Sequence, residues 1–258
     1  MNLINWIEIV SYNGHVREAA IKKLDSPAPS GFFFILLLRR LNDWVENVRI
    51  VAREKIIEIG FKTDPELIVK ALMLAFRDVN SWQRMKPVDT DVLYQLLSID
   101  LIKIEMRNQI IASESGPQSK ILLNILKRSG FDKYLIEISQ NSIQPSLRSM
   151  VYRILLQKNV LWVNRKEKKW LSLSLRTFKF ETFYDQRVVE LEYSFENILN
   201  SASNDRSSIV RRVAAEFLIK EIDKLDGVAI EMAEKFAKDK SKPVYERGQF
   251  ALKRLENN

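Results

Sequence analysis

Apolar residues recur every four positions in several stretches of the chain, as they do on the buried side of an α-helix. In residues 204–218, NDRSSIVRRVAAEFL, these residues are Val210, Ala214 and Leu218, and their spacing places all three on one helical face. The same pattern recurs at four other places, namely Val16–Ala20–Leu24, Val48–Ala52–Ile56, Leu147–Val151–Leu155 and, more loosely, Val244–Gly248–Leu252. The pattern predicts a mostly helical chain built from repeated units.

The repeated units are separated by similar lengths of chain. Val16 and Val48 are 32 residues apart, and Val210 and Val244 are 34 residues apart. A period of this length is typical of stacked helical hairpins, which bury their apolar faces against their neighbours. The interval of 63 residues from Leu147 to Val210 is close to two such periods. We therefore expect a divergent helical repeat between them.

Charged residues accompany the apolar pattern at fixed positions. An arginine follows the first apolar residue in four units, as Arg17, Arg49, Arg148 and Arg211. Five residues before that apolar residue lies a serine or an aspartate, Asp43 and Asp205 among them. Because such side chains accept hydrogen bonds from the free N–H groups of a first helical turn, we expect helix caps there.

Two interpretations of the repeated arginines follow. In the first, each arginine bonds to a cap or a carbonyl of the next repeat, and Arg17, Arg49 and Arg211 form a structural ladder with Asp43 and Asp205. In the second, the arginines line a groove and bind phosphates. We favour the ladder, since recurrence at one position of the unit is what repeat stacking requires.

The units resemble the HEAT repeat, including its short bacterial type, which carries a capping Asp, then Val-Arg, then Ala and Leu on the inner helix. The matching residues are Asp43, Val48, Arg49, Ala52 and Ile56, and then Asp205, Val210, Arg211, Ala214 and Leu218. The resemblance implies an all-α, right-handed α-solenoid of about seven helical hairpins. It also implies that the second helices line a concave face and that the protein binds or scaffolds a partner.

The predicted organisation is a single HEAT-like domain over residues 1–258. It comprises N-terminal repeats in 1–62, divergent middle repeats in 63–144 and C-terminal repeats in 145–258. Within residues 160–184, Leu171, Leu173 and Leu175 alternate with serines, which is typical of a β-strand. A short β-insertion near 170–181 is therefore the alternative to a divergent helical repeat there.

The amino-acid composition limits the kinds of site that the chain can form. The chain has no cysteine and one histidine, which excludes disulfides, thiolate chemistry and histidine-rich metal sites. We accordingly expect no cofactor and no metal, and a cytoplasmic location. The longest apolar run, residues 31–38, is too short to span a bilayer, so we expect no membrane partner.

The net charge of +8 is concentrated in one region. Residues 145–187 contain ten basic and three acidic residues, a net charge of +7. Lysines and arginines interleaved with aromatic rings suit nucleic acid, since bases neutralise phosphates and rings stack on unpaired bases. An acidic protein would use the same surface, and a solvated rim is the plainer interpretation. The predicted contact residues are Arg148, Arg153, Arg165, Lys166, Lys168, Lys169, Trp170 and Arg176.

The most direct functional hypothesis is a non-catalytic scaffold that binds a macromolecular partner, most simply a protein, through a concave face with this basic patch. The alternative is a nucleic-acid-binding protein that uses residues 145–187. Some HEAT-like proteins are alkylpurine DNA glycosylases. The resemblance therefore implies an enzymatic version of the alternative, in which the chain is such a glycosylase. No catalytic residue carries over from them to this chain, and its oligomeric state stays open.

Overall fold

The computed structural model describes residues 3–225 and 227–257. The chain is mainly α-helical and contains a two-stranded antiparallel sheet. It divides into two compact units, Met1–Ala112 with Gly116–Ile125, and Ser113–Ser115 with Leu126–Asn258, where we predicted one domain. The predicted bounds at residues 1 and 258 lie outside the described residues.

The first unit is made of helices joined by short turns. Its helices are α1 (Leu3–Glu8), α2 (Gly14–Lys22), α3 (Gly31–Leu38), α4 (Glu46–Lys62), α5 (Pro65–Asp78), α6 (Pro87–Ser98), α7 (Asp100–Ala112) and α8 (Gln118–Ile125). Helices two apart in the chain contact each other, so α2, α4 and α6 form one series and α3, α5 and α7 another. The predicted apolar positions Val48, Ala52 and Ile56 are fully buried.

The second unit has one series of helices that contact each other two apart in the chain, with a sheet inserted in it. Its elements are α9 (Leu135–Asn141), α10 (Pro145–Gln157), β1 (Asn159–Ser172), β2 (Thr177–Val188), α11 (Phe195–Ser203), α12 (Ser208–Glu221), α13 (Val228–Phe236) and α14 (Lys242–Glu256). Helix α12 contacts both α10 and α14, while α9, α11 and α13 each pack against the helix that follows. Leu147, Val210 and Val244 are fully buried, as the apolar pattern predicts.

The expectation of a helical repeat in residues 160–184 is wrong, because a β-hairpin occupies residues 159–188. Arg148 and Asp205 are hydrogen bonded although 57 residues separate them, whereas 28 residues separate the equivalent pair Arg211 and Asp239. The difference is nearly the length of the hairpin, so the extra chain is an insertion between α10 and α11. The β-insertion that was the alternative is present and is longer than the predicted 170–181. The alternating leucines and serines lie at the end of β1 and in the turn that follows it.

The ladder arginines of the second unit reach the aspartates of the next helical hairpin. Nε and Nη2 of Arg148 donate to the two carboxylate oxygens of Asp205 at 2.7 and 2.8 Å. Arg211 donates to Asp239 in the same way, at 2.6 and 2.9 Å. In each case the remaining nitrogen, Nη1, donates to carbonyl groups just before the arginine's own helix. One guanidinium therefore joins two successive helical hairpins.

The first unit repeats this arrangement with one variation. Arg17 donates from Nε and Nη2 to Asp43 at 2.9 and 2.6 Å. Arg49 donates from Nη1 to the Asp43 carbonyl at 2.7 Å, and its Nε lies 3.8 Å from the Asp89 carboxylate. Arg53 makes the close contact with Asp89 instead, at 2.8 Å. Asp89 lies inside the first turn of α6, a position that the sequence pattern did not predict.

The predicted capping role of the aspartates needs correction. Each accepts from the N–H group two residues further on, at Val45 for Asp43, Ser207 for Asp205 and Ser241 for Asp239. Those three donor residues are themselves the N-cap positions of α4, α12 and α14. The aspartates therefore form Asx turns just before the helices, which leaves both carboxylate oxygens directed at an arginine of the preceding hairpin.

Candidate macromolecule-binding site

The inserted hairpin is anchored to the helices at its base. Val160 and Val189 are buried there, and the Val189 N–H donates to the Lys158 carbonyl at 2.9 Å. Arg187 donates from Nε to the Leu126 carbonyl and from Nη1 to Asp132, both at 2.7 Å. Beyond these residues most of the hairpin is exposed on both faces, so its outer part adds little to the core of the unit.

Strand pairing separates the side chains of the hairpin into two faces. Directly paired residues such as Trp170 and Phe178, or Lys168 and Phe180, lie on the same face, and the next pair along the strands lies on the other. The register shifts between Val163 and Arg165, where β1 contains one extra residue. The assignment of faces takes this extra residue into account. The aromatic face comprises Val163, Lys166, Lys168, Trp170, Phe178, Phe180, Thr182 and Tyr184. The charged face comprises Arg165, Glu167, Lys169, Lys179, Glu181 and Phe183.

Three rings on the aromatic face form a continuous edge-to-face series. The ring centroids of Trp170 and Phe178 are 5.6 Å apart, and those of Phe178 and Phe180 are 5.5 Å apart. Lys168 Nζ lies 3.9 Å from the centroids of both Trp170 and Phe178, a cation–π arrangement. Phe180 is 62% exposed, and no acidic residue lies on this face. The face is therefore apolar and positively charged, and it is open to solvent.

The opposite face of the hairpin carries mixed charge. Arg165 pairs with Glu167 at 2.7 Å, and Lys169 lies 3.5 Å from Glu181. The Arg165 guanidinium also lies 4.6 Å from the centre of the Phe183 ring. Such exposed pairs add little stability. They do reduce the charge available on this face for an anionic partner.

The turn that joins the strands carries exposed aliphatic side chains. The Leu175 N–H donates to Ser172 Oγ at 3.2 Å, and the Arg176 N–H donates to the Leu173 carbonyl at 3.3 Å. Arg176 has a φ of 51°, in the left-handed region that closes many short turns. Leu173 and Leu175 are each 75% exposed. The turn therefore presents apolar groups at the far end of the hairpin.

The structure divides the eight predicted contact residues into three groups. Arg148 is only 1% exposed and bonded to Asp205, so it belongs to the ladder and does not reach a partner. Arg153 lies on α10 and donates to Glu216 at 2.7 Å. The hairpin carries the other six, with Lys166, Lys168 and Trp170 on the aromatic face, Arg165 and Lys169 on the charged face, and Arg176 in the turn.

A second group of basic residues surrounds Glu216 on α12. Arg153 lies 2.7 Å, Arg247 3.1 Å and Arg212 3.6 Å from its carboxylate oxygens. These arginines come from α10, α14 and α12, which are neighbours in one series of helices. Three cations around one anion leave a local charge of +2 on a partly exposed surface. The predicted contact residues include Arg153 but not Arg212 or Arg247. The spacing of these arginines in the sequence does not indicate that they meet at Glu216.

The hairpin also contains exposed apolar residues that the sequence analysis did not assign to the site. These are Phe178 and Phe180 on the aromatic face and Leu173 and Leu175 in the turn. For Phe178 and Phe180, alternation with Lys179 was the available signal, because alternation of this kind predicts a strand with two distinct faces.

The described residues give no sign of a metal centre or a membrane span. Within 3–225 and 227–257, no group of three or more His, Cys, Asp or Glu side chains is placed to hold a metal ion. In the same ranges, no helix has both the length and the apolar character needed to cross a bilayer.

Fold and site together define a mainly α-helical protein with a long, solvent-exposed β-hairpin inserted between two helical hairpins. Comparison with family models, curated proteins and solved structures found no match.

Proposed function

We propose that this protein is a non-catalytic HEAT-like scaffold that binds a macromolecular partner, with the inserted hairpin as the main contact element. A right-handed α-solenoid is the arrangement we propose for the helices. Two observations support it. Helices two apart in the chain contact each other in three series, α2-α4-α6, α3-α5-α7 and α10-α12-α14. A buried or partly buried arginine–aspartate pair recurs between successive helical hairpins.

The exposed aromatic face of the hairpin is the observation that carries the proposal. Large apolar side chains on a monomer rarely stay in contact with water over a contiguous patch unless the patch binds something. Here Trp170, Phe178 and Phe180 adjoin one another and are 45%, 43% and 62% exposed. Because the hairpin beyond its base packs on no core, stability of the helices does not account for these residues, whereas a contact role does.

Shortening the hairpin tests the proposal. Leu161 pairs with Gln186, so an Asn-Gly type I′ turn can replace residues 162–185 and join these two directly. Val160 and Arg187, which anchor the base, are kept. We expect full-length protein to co-fractionate with a larger assembly in extracts of its native cell. The shortened variant should fractionate as the isolated chain with an unchanged melting temperature.

A point variant sharpens the test of the contact face. Phe178→Ser/Phe180→Ser removes two of the three rings, and Phe32→Ser is the matched control, since Phe32 is 65% exposed on α3 of the other unit. We expect the double variant alone to lose co-fractionation. Retention of the assembly by both the double variant and the shortened variant would refute the proposal.

Nucleic acid binding is a second candidate, which the arginines around Glu216 favour. An excess of two positive charges on adjacent helices suits phosphate groups, which arginine recognises with its planar fork. Anisotropy titrations with DNA and RNA between about 50 and 200 mM salt would test it, since phosphate contacts make affinity fall steeply with salt. Arg212→Gln/Arg247→Gln should weaken binding, while Lys242→Gln, an exposed cation on α14, should change it little. An absence of binding at low salt excludes this candidate.

The enzymatic form of the second candidate is a HEAT-like alkylpurine DNA glycosylase. A glycosylase would release an alkylated purine from duplex DNA, and the assay measures the free base. If the chain binds DNA and releases no base, it is a DNA-binding protein without this activity.

A further inference from the structure

The tip of the hairpin, residues 168–180, has a composition unlike the rest of the chain. It holds four basic residues and no acidic residue, together with three leucines and three aromatic residues. The leucines and aromatic rings are all exposed. Such a segment combines apolar surface with uniform positive charge, and its partner must therefore be both apolar and anionic.

The apolar and basic groups surround the tip on all sides. Trp170, Phe178 and Phe180 lie on the aromatic face, while Leu173 and Leu175 point out of the turn at the end. Lys168 is on the aromatic face, and Lys169 and Lys179 form the opposite pair on the charged face. A flat protein surface could cover only one of these faces. A fluid medium that encloses the tip covers them together.

We propose that the hairpin tip inserts into the interfacial region of an anionic lipid bilayer. The inference rests on the proposed function, in which the hairpin is the contact element, and it adds a lipid surface to the macromolecular partner proposed there. Leu173 and Leu175 enter first, toward the acyl chains. The rings of Trp170 and Phe178 lie at the headgroup level, which aromatic side chains favour. Lys168, Lys179 and Arg176 meet lipid phosphates, while Lys169 also lies 3.5 Å from the carboxylate of Glu181 next to the tip.

The dimensions of the tip agree with this placement. Eleven residues, 169–179, lie beyond Lys168 and Phe180, with four in β1, four in the turn and three in β2. At about 3.3 Å per residue along each side, they extend on the order of 15 Å. Interfacial segments bury their apolar side about 5–10 Å deep. Docking of this kind needs no spanning segment, so it departs from the sequence expectation of no membrane partner, which depended on the shortness of the apolar runs.

A nucleic acid would contact only some of the side chains in the tip. Phosphates would pair with the lysines and bases would stack on the rings. Stacking gives no role to Leu173 and Leu175, the most exposed leucines of the hairpin. The bilayer accounts for all three kinds of side chain, and nucleic acid binding becomes an outcome of the test.

Flotation of the full chain with lipid vesicles tests the inference. We expect binding to phosphatidylcholine vesicles that contain phosphatidylglycerol, and little binding to pure phosphatidylcholine. Leu173→Ser/Leu175→Ser should raise the apparent Kd by on the order of tenfold or more, because two aliphatic side chains no longer leave water. Leu101→Ser is the matched control, since Leu101 is 66% exposed on α7 and should leave the Kd unchanged.

Tryptophan emission gives a second readout. The chain has five tryptophans, and Trp170 is the one that we place at the headgroup level. Vesicles should therefore shift the emission of the native chain to the blue, and this shift should be largely lost in Trp170→Phe. The Trp170→Phe variant should still float with the vesicles. Far-UV circular dichroism and melting temperature should match for all variants, because the substituted side chains are exposed.

Three results would overturn the inference: no flotation at any lipid composition, equal flotation by Leu173→Ser/Leu175→Ser, or loss of nucleic acid binding in that variant with no vesicle binding by the native chain. The scaffold proposal fails separately, when the shortened variant and Phe178→Ser/Phe180→Ser both still co-fractionate with the assembly.

Discussion

Arg148 on α10 and Asp205 before α12 form a two-point pair across the hairpin insertion, with both hydrogen bonds below 2.9 Å. The same guanidinium donates from Nη1 to the carbonyls of Ser142 and Ile143 at 2.7 and 2.9 Å. The pair brings together two helical hairpins that 30 inserted residues separate in the chain. It therefore fixes the helix series in the place where the covalent connection is longest.

Loss of this pair should destabilise the protein strongly. Arg148→Ala leaves the Asp205 carboxylate and two carbonyls without their donor, and breaking a buried pair from one side costs about 3–5 kcal/mol. Arg153→Ala is the control, since its pair with Glu216 is partly exposed and should contribute under about 1 kcal/mol. Urea unfolding measures both. Equal losses in the two variants would show that Arg148 is not a structural link.

The ladder should make stability fall in acid. Hydrogen bonds from Arg211 hold the pKa of Asp239 below its ordinary value. Burial alone would raise the pKa of Asp43, but hydrogen bonds from Arg17 and the Val45 N–H outweigh it and lower that pKa. A lowered folded-state pKa gives stability that is present above the unfolded value of about 3.9 and is lost as pH falls through the folded value.

We accordingly expect the free energy of unfolding to decline below about pH 4. Asp43→Asn and Asp239→Asn should each flatten that decline, because the titrating group is gone. The measurement is urea unfolding over a pH series. Variants as acid-sensitive as the native chain would show that other carboxyls control the effect.

Gly248 on α14 should not tolerate a side chain. A Cβ at this position would overlap the Ala237 nitrogen and the Phe236 carbonyl carbon, which are backbone atoms that cannot move independently. Alanine normally stabilises a helix by about 1 kcal/mol relative to glycine, but overpacking of this kind costs about 1–3 kcal/mol. Gly248→Ala should therefore lower the melting temperature. Gly130→Ala, with open space around it, should not do so.

Arg187 should control how firmly the hairpin is held. It bonds to Asp132 and to the Leu126 carbonyl at the base of β2, so Arg187→Ala should speed amide hydrogen exchange in β1 and β2 near the base. Lys179→Ala, on the exposed charged face, should leave exchange there unchanged. Unchanged protection in Arg187→Ala would mean that strand pairing alone holds the hairpin.

Sequence periodicity predicted the helices and their buried positions well, because a buried helical face repeats its apolar residues at a short, regular spacing. Val48, Leu147 and Val210 are buried as expected, and the Val-Arg motif coincides with arginines that join successive hairpins. The prediction of a helical repeat in residues 160–184 was wrong, because it depended on the spacing between repeats and not on the local alternation of leucines and serines.

The contact residues were only partly predictable. A count of basic residues identified the hairpin region, but it could not distinguish the buried Arg148 from the exposed Lys168. Exposure depends on which residues from elsewhere in the chain pack around a side chain, and local sequence carries little of that information.

The sequence by itself determined the helical character, the positions of the buried apolar residues and the clustering of positive charge, since these follow from the order of residues over one or two turns. Only the tertiary structure decided the pairing of β1 with β2, the meeting of three arginines at Glu216 and the placement of Arg148 against Asp205. These relationships join residues that are distant in the chain, and they exist only where strand hydrogen bonds and helix packing bring their backbones together.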